Sequence, residues 1–172
     1  MAATRDELYQ EVAQTYGAAL ERLARAYEAD AELRRDLLQE VHVALWRSFD
    51  VFDGRCSLRT WIYRVTHNVG ASHVLRQRRT RGHELVGLEE LENMPDSRTE
   101  EAVNRNHALD RLLSLVQRLQ PLDRNVILSY LEGLDAASIA ELTGLSPGNV
   151  ATKTHRIKNI LARQFSAESE PL

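Results

Sequence analysis

The sequence predicts an all-α fold: two small helical domains, an N-terminal three-helix core and a C-terminal helix-turn-helix, joined by an acidic linker. Three observations predict it. Apolar residues recur at spacings of three and four, the period of an amphipathic helix, and no run reads as a strand. An acidic stretch holding Pro95 interrupts that period near the middle of the chain. On either side of it lie segments with no acid and several arginines or lysines. The expected boundaries are residues 1–81, a linker over 82–97, and residues 98–167.

The first helix is expected over residues 4–28, with Leu8, Val12, Tyr16, Ala19, Leu20, Leu23 and Tyr27 on one side. The second, over 31–49, turns Leu33, Leu37, Val41, Ala44 and Leu45 inward. Asp53-Gly54 marks a loop, and Ser57 is placed to cap a third helix carrying Leu58, Trp61, Ile62, Val65 and Val69. That helix runs on into the arginines of residues 76–81. Residues 82–96 have no sustained period and read as a linker open to proteolysis, helical in part at most. Ser97 with Glu100 forms a capping box for a helix that ends before Pro121, striped by Leu109, Leu112, Leu113, Val116 and Leu119. A short helix follows, with Val126, Ile127, Tyr130 and Leu131 inward, stopped by Gly133. Two more come in quick succession, over 136–143 and 147–165.

With 172 residues, 43% hydrophobic and 27% charged, the chain can bury a core and is no disordered tract. The net charge of −3 argues against coating nucleic acid by bulk charge, but its distribution is uneven. Residues 54–83 carry seven arginines and no acid. Residues 84–101 carry seven acids against Arg98 alone. Residues 142–167 carry Lys153, Arg156, Lys158 and Arg163, again without an acid. Two basic segments around an acidic one suggest two separate surfaces for a polyanion. Cys56 is the single cysteine, so no internal disulfide forms and a reducing, cytoplasmic setting is expected. No apolar run approaches the ~20 residues of a membrane span, so membrane insertion is not expected. An enzyme is disfavoured, and no cofactor or metal is expected. The six histidines show no ligand spacing with Cys56 or with paired acids, and neither a phosphate loop nor a nucleophile elbow is present. Glu89, Glu90 and Glu92 read as linker solvation rather than as catalytic acids.

The last helix pair is the most specific local signal. Asp135 can cap the first member, Gly144 supplies a left-handed turn residue, and Leu145 can plug the angle between the two. Ser146 caps the second helix, with Pro147 in its first turn. This is the layout of a helix-turn-helix, whose second helix enters the DNA major groove. Val150, Ile157 and Leu161 line up inward, while Asn149, Thr152, Lys153 and Arg156 fall on the other side, where base edges would lie. The plainer reading is a short helical pair with a basic surface that touches no DNA.

The third helix is the other candidate. Trp61 and Tyr63 stand among Arg55, Arg59 and Arg64, with Thr66, His67 and Asn68 one turn on. Aromatics on a basic helix suit unstacked bases, because every base offers a face and arginines hold the backbone. Trp61 serves either as stacking platform or as core, and both readings stand. Tyr63 is the one expected to be exposed.

At this point the residues resemble a family. Asp36-Leu-Leu-Gln39-Glu40-Val, then Leu45-Trp46, then Leu58-Arg-Thr-Trp61-Ile-Tyr63-Arg64-Val-Thr-His-Asn68 resembles the second conserved region of bacterial sigma factors. Leu119-Gln-Pro-Leu-Asp-Arg124, then Ser138-Ile-Ala-Glu141-Leu-Thr-Gly-Leu-Ser-Pro-Gly-Asn-Val150 and His155-Arg156 resembles their fourth. Having these two regions alone on a short chain is similar to the extracytoplasmic-function group. The resemblance spans roughly residues 10–80 and 105–165. It implies that Asp36, Gln39 and Glu40 dock on core RNA polymerase. It implies that Arg55, Arg59, Tyr63, Arg64, His67 and Asn68 serve the opened −10 element of promoter DNA. It gives Asn149, Thr152, Lys153, His155 and Arg156 to the −35 duplex, and it implies an anti-sigma factor as a further partner. Ser72, Ala151, Asn149, Lys153 and Thr154 depart from residues common in the family, which puts the target promoter in doubt and leaves the fold alone. The alternative is a helix-turn-helix regulator that binds duplex operator DNA without polymerase. It accounts for residues 105–165 but not for the basic aromatic helix or the Asp36 to Glu40 motif.

Overall fold

The computed structural model describes residues 3–82, 84–94 and 105–166, with side-chain placement given for 3–82, 84–94 and 108–164. Among these residues there are α-helices and one isolated bridge, and no strand longer than that. Thr4 opens α1 (Arg5–Tyr27) with a full capping box, its hydroxyl accepting from the Glu7 N–H while the Glu7 carboxylate accepts from the Thr4 N–H. Asp30 caps α2 (Ala31–Ser48) by accepting from the Glu32 and Leu33 N–H groups. Ser57 caps α3 (Leu58–Arg81) at 3.0 Å from the Thr60 N–H, as the sequence predicts, and Gly82 ends it with φ at 67°. These three helices pack on one another through Val12, Leu20, Leu23, Leu37, Leu45 and Ile62, all essentially inaccessible. Each such side chain contributes about 1.5–3 kcal/mol of burial energy. Gly70 of α3 meets the ring of Tyr27 so closely that a Cβ built there would lie 2.8 Å from it.

The second bundle comprises α5 (Arg105–Arg118), α6 (Pro121–Leu131), α7 (Ala136–Thr143) and α8 (Pro147–Ser166). Its core is Val116, Leu119, Val126, Ile127, Ile139, Leu142, Val150, Ile157 and Ile160. Two expectations for α6 are corrected. Tyr130 and Leu131, expected inward, are exposed, while the polar Ser129 is fully buried. The face of α6 that carries Ser129 is covered by α3, a neighbour more than sixty positions away that no local period reports. On α8 the inward row is Val150, Ile157 and Ile160, and Leu161 lies at its edge, half-buried.

The acidic segment, expected to be a linker open to proteolysis and helical in part at most, is packed over its described part. The Val86 N–H donates to the Arg118 carbonyl at 2.7 Å, and Val86 forms a parallel bridge with Leu119. A single-turn helix α4 (Leu88–Asn93) then buries Leu88 and Leu91 and lies against α8. The apolar period was short, but two leucines three apart suffice for one helical face. The capping box expected at Ser97 and Glu100 lies outside the described residues. One apolar cluster runs through both bundles, with α3 packed against α6 and α7 and α1 against α5.

Candidate nucleic-acid and partner surfaces

The polar face of α2 stands where the sequence places it. Asp36, Gln39 and Glu40 are exposed, opposite the buried Leu37, Val41 and Leu45. Together with Val43, Ala44, Arg47 and Val69 of α3 they line an open groove. Val43 is 42% exposed, an apolar patch inside a charged rim that the sequence reading missed because its position fits neither face cleanly. Glu40 also accepts from Arg76 at 2.8 Å, which ties α2 to the arginine run of α3.

The helix-turn-helix is built as its caps dictate. Asp135 accepts from the Ser138 N–H at 2.7 Å, Gly144 turns the chain with φ at 80°, and Ser146 accepts from the Asn149 N–H at 3.2 Å. Asn149, Thr152, His155 and Arg156 of α8 are exposed together on the outer side. Lys153 is half-buried, its ammonium 2.6 Å from the Asp123 carboxylate, so it braces α8 against α6 rather than standing free with the others. Arg156 is also engaged. Its guanidinium donates twice to the Glu92 carboxylate of α4, and Arg163 donates to the Glu92 carbonyl at 2.8 Å. The Arg156 contact holds the Glu92 carboxyl below the usual carboxylate range. Thr154, one of the departures noted above, is buried with no partner for its hydroxyl.

The face of α3 differs most from expectation. Arg55 and Asn68 are exposed, and Trp61 is half-buried, its indole N–H donating to Ser48 and its ring against Phe52. Tyr63, expected to be exposed, is 3% accessible, and His67 is 1% accessible. The C-terminal bundle covers them. The Tyr63 hydroxyl donates to the Glu132 carboxylate at 3.0 Å, and burial pushes the phenol up to about 12. Arg59 donates to the Glu132 carbonyl at 2.6 Å, and Arg64 to the Glu141 carbonyl at 3.0 Å. Glu132 further accepts two bonds from Arg22, at 2.9 and 2.8 Å, and that pairing holds its carboxyl low. His67 lies between Tyr27 (2.6 Å to Nδ1) and Ser129 (3.1 Å to Nε2), and Ser129 donates to Asn125. Only one neutral tautomer satisfies that chain: Tyr27 donates to Nδ1, and Nε2–H donates to Ser129. Complete burial pushes the imidazole down to about 3, so it is neutral.

Two basic helices in separate bundles, one of them the second helix of a helix-turn-helix, are the arrangement of a DNA-binding protein. Comparison with known proteins makes the class specific. Residues 12–80 match Sigma-70 region 2, and residues 109–161 match Sigma-70 region 4. The chain is 31% identical over 159 residues to the ECF RNA polymerase sigma factor SigL of Mycobacterium tuberculosis, covering 90% of this chain and 84% of that one. It is 25% identical over 175 residues to the ECF RNA polymerase sigma factor SigX of Bacillus subtilis, covering 97% and 88%. Among solved structures, CnrH in complex with the cytosolic domain of CnrY superposes with a TM-score of 0.66 at 25% identity, over 97% of this chain and 92% of that one. The chain therefore belongs to the sigma-70 family, as a sigma factor of the extracytoplasmic-function type. Its family is one of transcription initiation factors, not of enzymes. No helix among the described residues is long and apolar enough to cross a membrane.

Proposed function

We propose that this chain binds core RNA polymerase through the groove on α2 and directs it to promoters with a division of labour between its two basic helices. The observation that carries the proposal is the pairing, on one chain, of an open charged groove at Asp36, Gln39 and Glu40 with a helix-turn-helix. A regulator that bound operator DNA alone would have no use for the first. In this reading α8 reads the −35 duplex through Asn149, Thr152, His155 and Arg156, with Lys153 holding the helix in place. α3 and the loop before it hold the opened −10 strand through Arg55, Arg59, Tyr63, Arg64, His67 and Asn68 once the C-terminal bundle has moved off them. CnrH was solved with the cytosolic domain of CnrY, and RpoE of Bartonella quintana with the anti-sigma factor NepR; the fold shared with both supports an anti-sigma factor as a further partner of this chain.

The test is a pull-down of purified core polymerase. Gln39→Ala with Glu40→Ala removes two exposed side chains and one exposed ion pair, worth under about 1 kcal/mol to the fold. The native chain should retain core enzyme and the double variant should lose it, with helical content unchanged. Equal retention of core by the double variant would overturn the docking assignment. Failure of the native chain to retain core, with tight binding to operator duplex, would favour the regulator.

A further inference from the structure

At the C-terminal end of α1 lies a cavity of about 320 Å³, walled by residues of α1, α3, α5, α6 and the segment before α4. The most buried charge on its wall is Arg124, at 1% exposure. One terminal nitrogen of that guanidinium donates to the Gln117 and Leu119 carbonyls, and its Nε has no hydrogen-bond partner. No carboxylate among the described residues lies within ion-pair distance of it. Glu28, on the same wall, is committed elsewhere: it accepts from His73 at 2.7 Å and from the Asp30 N–H at 2.8 Å. A buried cation without a counter-ion is costly, and burial pulls this one down to about 10. Two more arginines, Arg78 and Arg118, line the cavity, and neither side chain has a hydrogen bond or ion pair among the described residues. Against these three cations the wall offers Glu84 as its one uncommitted acid among the described residues. Val74 and Leu85 add apolar surface. Cavities of this size, part apolar with a few convergent charged groups, are the usual seats of small ligands.

We propose that this cavity is a binding site for a small organic oxyanion, a carboxylate or a phosphate monoester, with its head held by Arg78 and Arg118 and its body resting on Val74 and Leu85. A guanidinium fork matches either head with paired N–H···O bonds, which is the reason arginine is favoured at such sites. The bound charge also offsets that of Arg124 and so supplies the counter-ion that the described chain does not. Glu84 limits the ligand to one anionic head, because a second would meet a like charge. None of these residues is assigned above to polymerase or to promoter DNA, so the site goes beyond that reading and does not depend on it.

The experiment titrates the full ¹⁵N-labelled chain, without polymerase or DNA, and follows its backbone and arginine Nε–H signals by NMR. The probes are phenyl phosphate, benzoate, uncharged benzyl alcohol and inorganic phosphate. At least one of the first two should saturate with a Kd of about 1 mM or tighter, shifting signals of residues 73–78 and 114–118. Saturation by phenyl phosphate alone assigns the head as a phosphate monoester, and saturation by benzoate alone assigns it as a carboxylate. Benzyl alcohol should not saturate, and inorganic phosphate should bind more weakly than phenyl phosphate. Arg78→Gln with Arg118→Gln should weaken the bound probe at least tenfold with helical content unchanged. Arg35→Gln with Arg79→Gln removes the same charge from exposed positions outside the cavity and should bind as the native chain does. The proposal is overturned if neither organic anion saturates, or if the shifts fall elsewhere on the chain. It is equally overturned if inorganic phosphate binds as tightly as phenyl phosphate, or if the two double variants lose affinity alike. Failure of core binding in the pull-down above would strike the polymerase reading and leave this result standing.

Discussion

His67 is the residue whose chemistry diverges furthest from its reading in sequence. Between arginines on a basic helix it looked like a DNA contact, but it is fully buried, with Tyr27, Tyr63, Ser129 and, farther off, Glu132 around it. No local signal marks this burial, because its partners lie forty positions before it and sixty-two after it. Its neutrality has a consequence for stability. The unfolded imidazole takes a proton near pH 6.5, whereas the folded one resists until about 3. A group depressed in this way lets the unfolded state bind more protons between those limits, so stability falls as pH falls through about 6.5. The loss should approach about 2 kcal/mol by roughly pH 5. His42, half-buried and also shifted down, adds in the same direction. The low-lying carboxylates Glu132 and Asp135 lose their contribution only further down, below the ordinary carboxylate range. Urea unfolding of the native chain and of His67→Gln, at several pH values in that upper window, checks this. The variant should show the shallower slope, and an identical slope would contradict the assignment.

At the scale of elements, legibility followed local chemistry. The caps at Ser57, Asp135 and Ser146 and the turn at Gly144 could be read, because a cap depends on residues two or three positions away. The helix-turn-helix was legible for that reason. The single turn of α4 was not, since one helical turn offers too few positions for a period to show. Helix crossings were illegible as well. Gly70 looks like a weakness in the middle of α3, where alanine would ordinarily be better by about 1 kcal/mol. Here the missing side chain lets α3 approach the Tyr27 ring of α1, and that ring cannot swing away while its hydroxyl is bonded to His67. Gly70→Ala should therefore destabilise the chain by about 1–3 kcal/mol, reversing the usual sign. A thermal melt showing stabilisation would mean that the two helices separate easily at this point.

For the whole molecule, the sequence revealed two basic surfaces and the acid between them, but not how they meet. Arg22 and Glu132 are 110 positions apart, and Arg156 and Glu92 are 64 apart. Each of these residues looked like ordinary solvated charge. Only the folded chain brings these acids onto the arginines, and it buries Tyr63 and His67 of α3 while leaving Asn149, Thr152, His155 and Arg156 of α8 exposed. The groove at Asp36, Gln39 and Glu40 is left open.

The most direct measurement of that account is promoter binding by the assembled polymerase, with the −10 element either paired or already melted. On the proposed division of labour, Arg64→Ala would remove a sequence-independent grip on the opened strand, and Arg156→Ala a base contact in the −35 duplex. The first should weaken binding across sequences and reduce its salt dependence by roughly one unit of slope. The second should relax preference at one −35 position by about 1–3 kcal/mol. A melted −10 element should restore much of the loss from Arg64→Ala and none of the loss from Arg156→Ala. If paired and melted templates respond alike to both variants, the two helices do not divide the promoter between them, and the account is wrong.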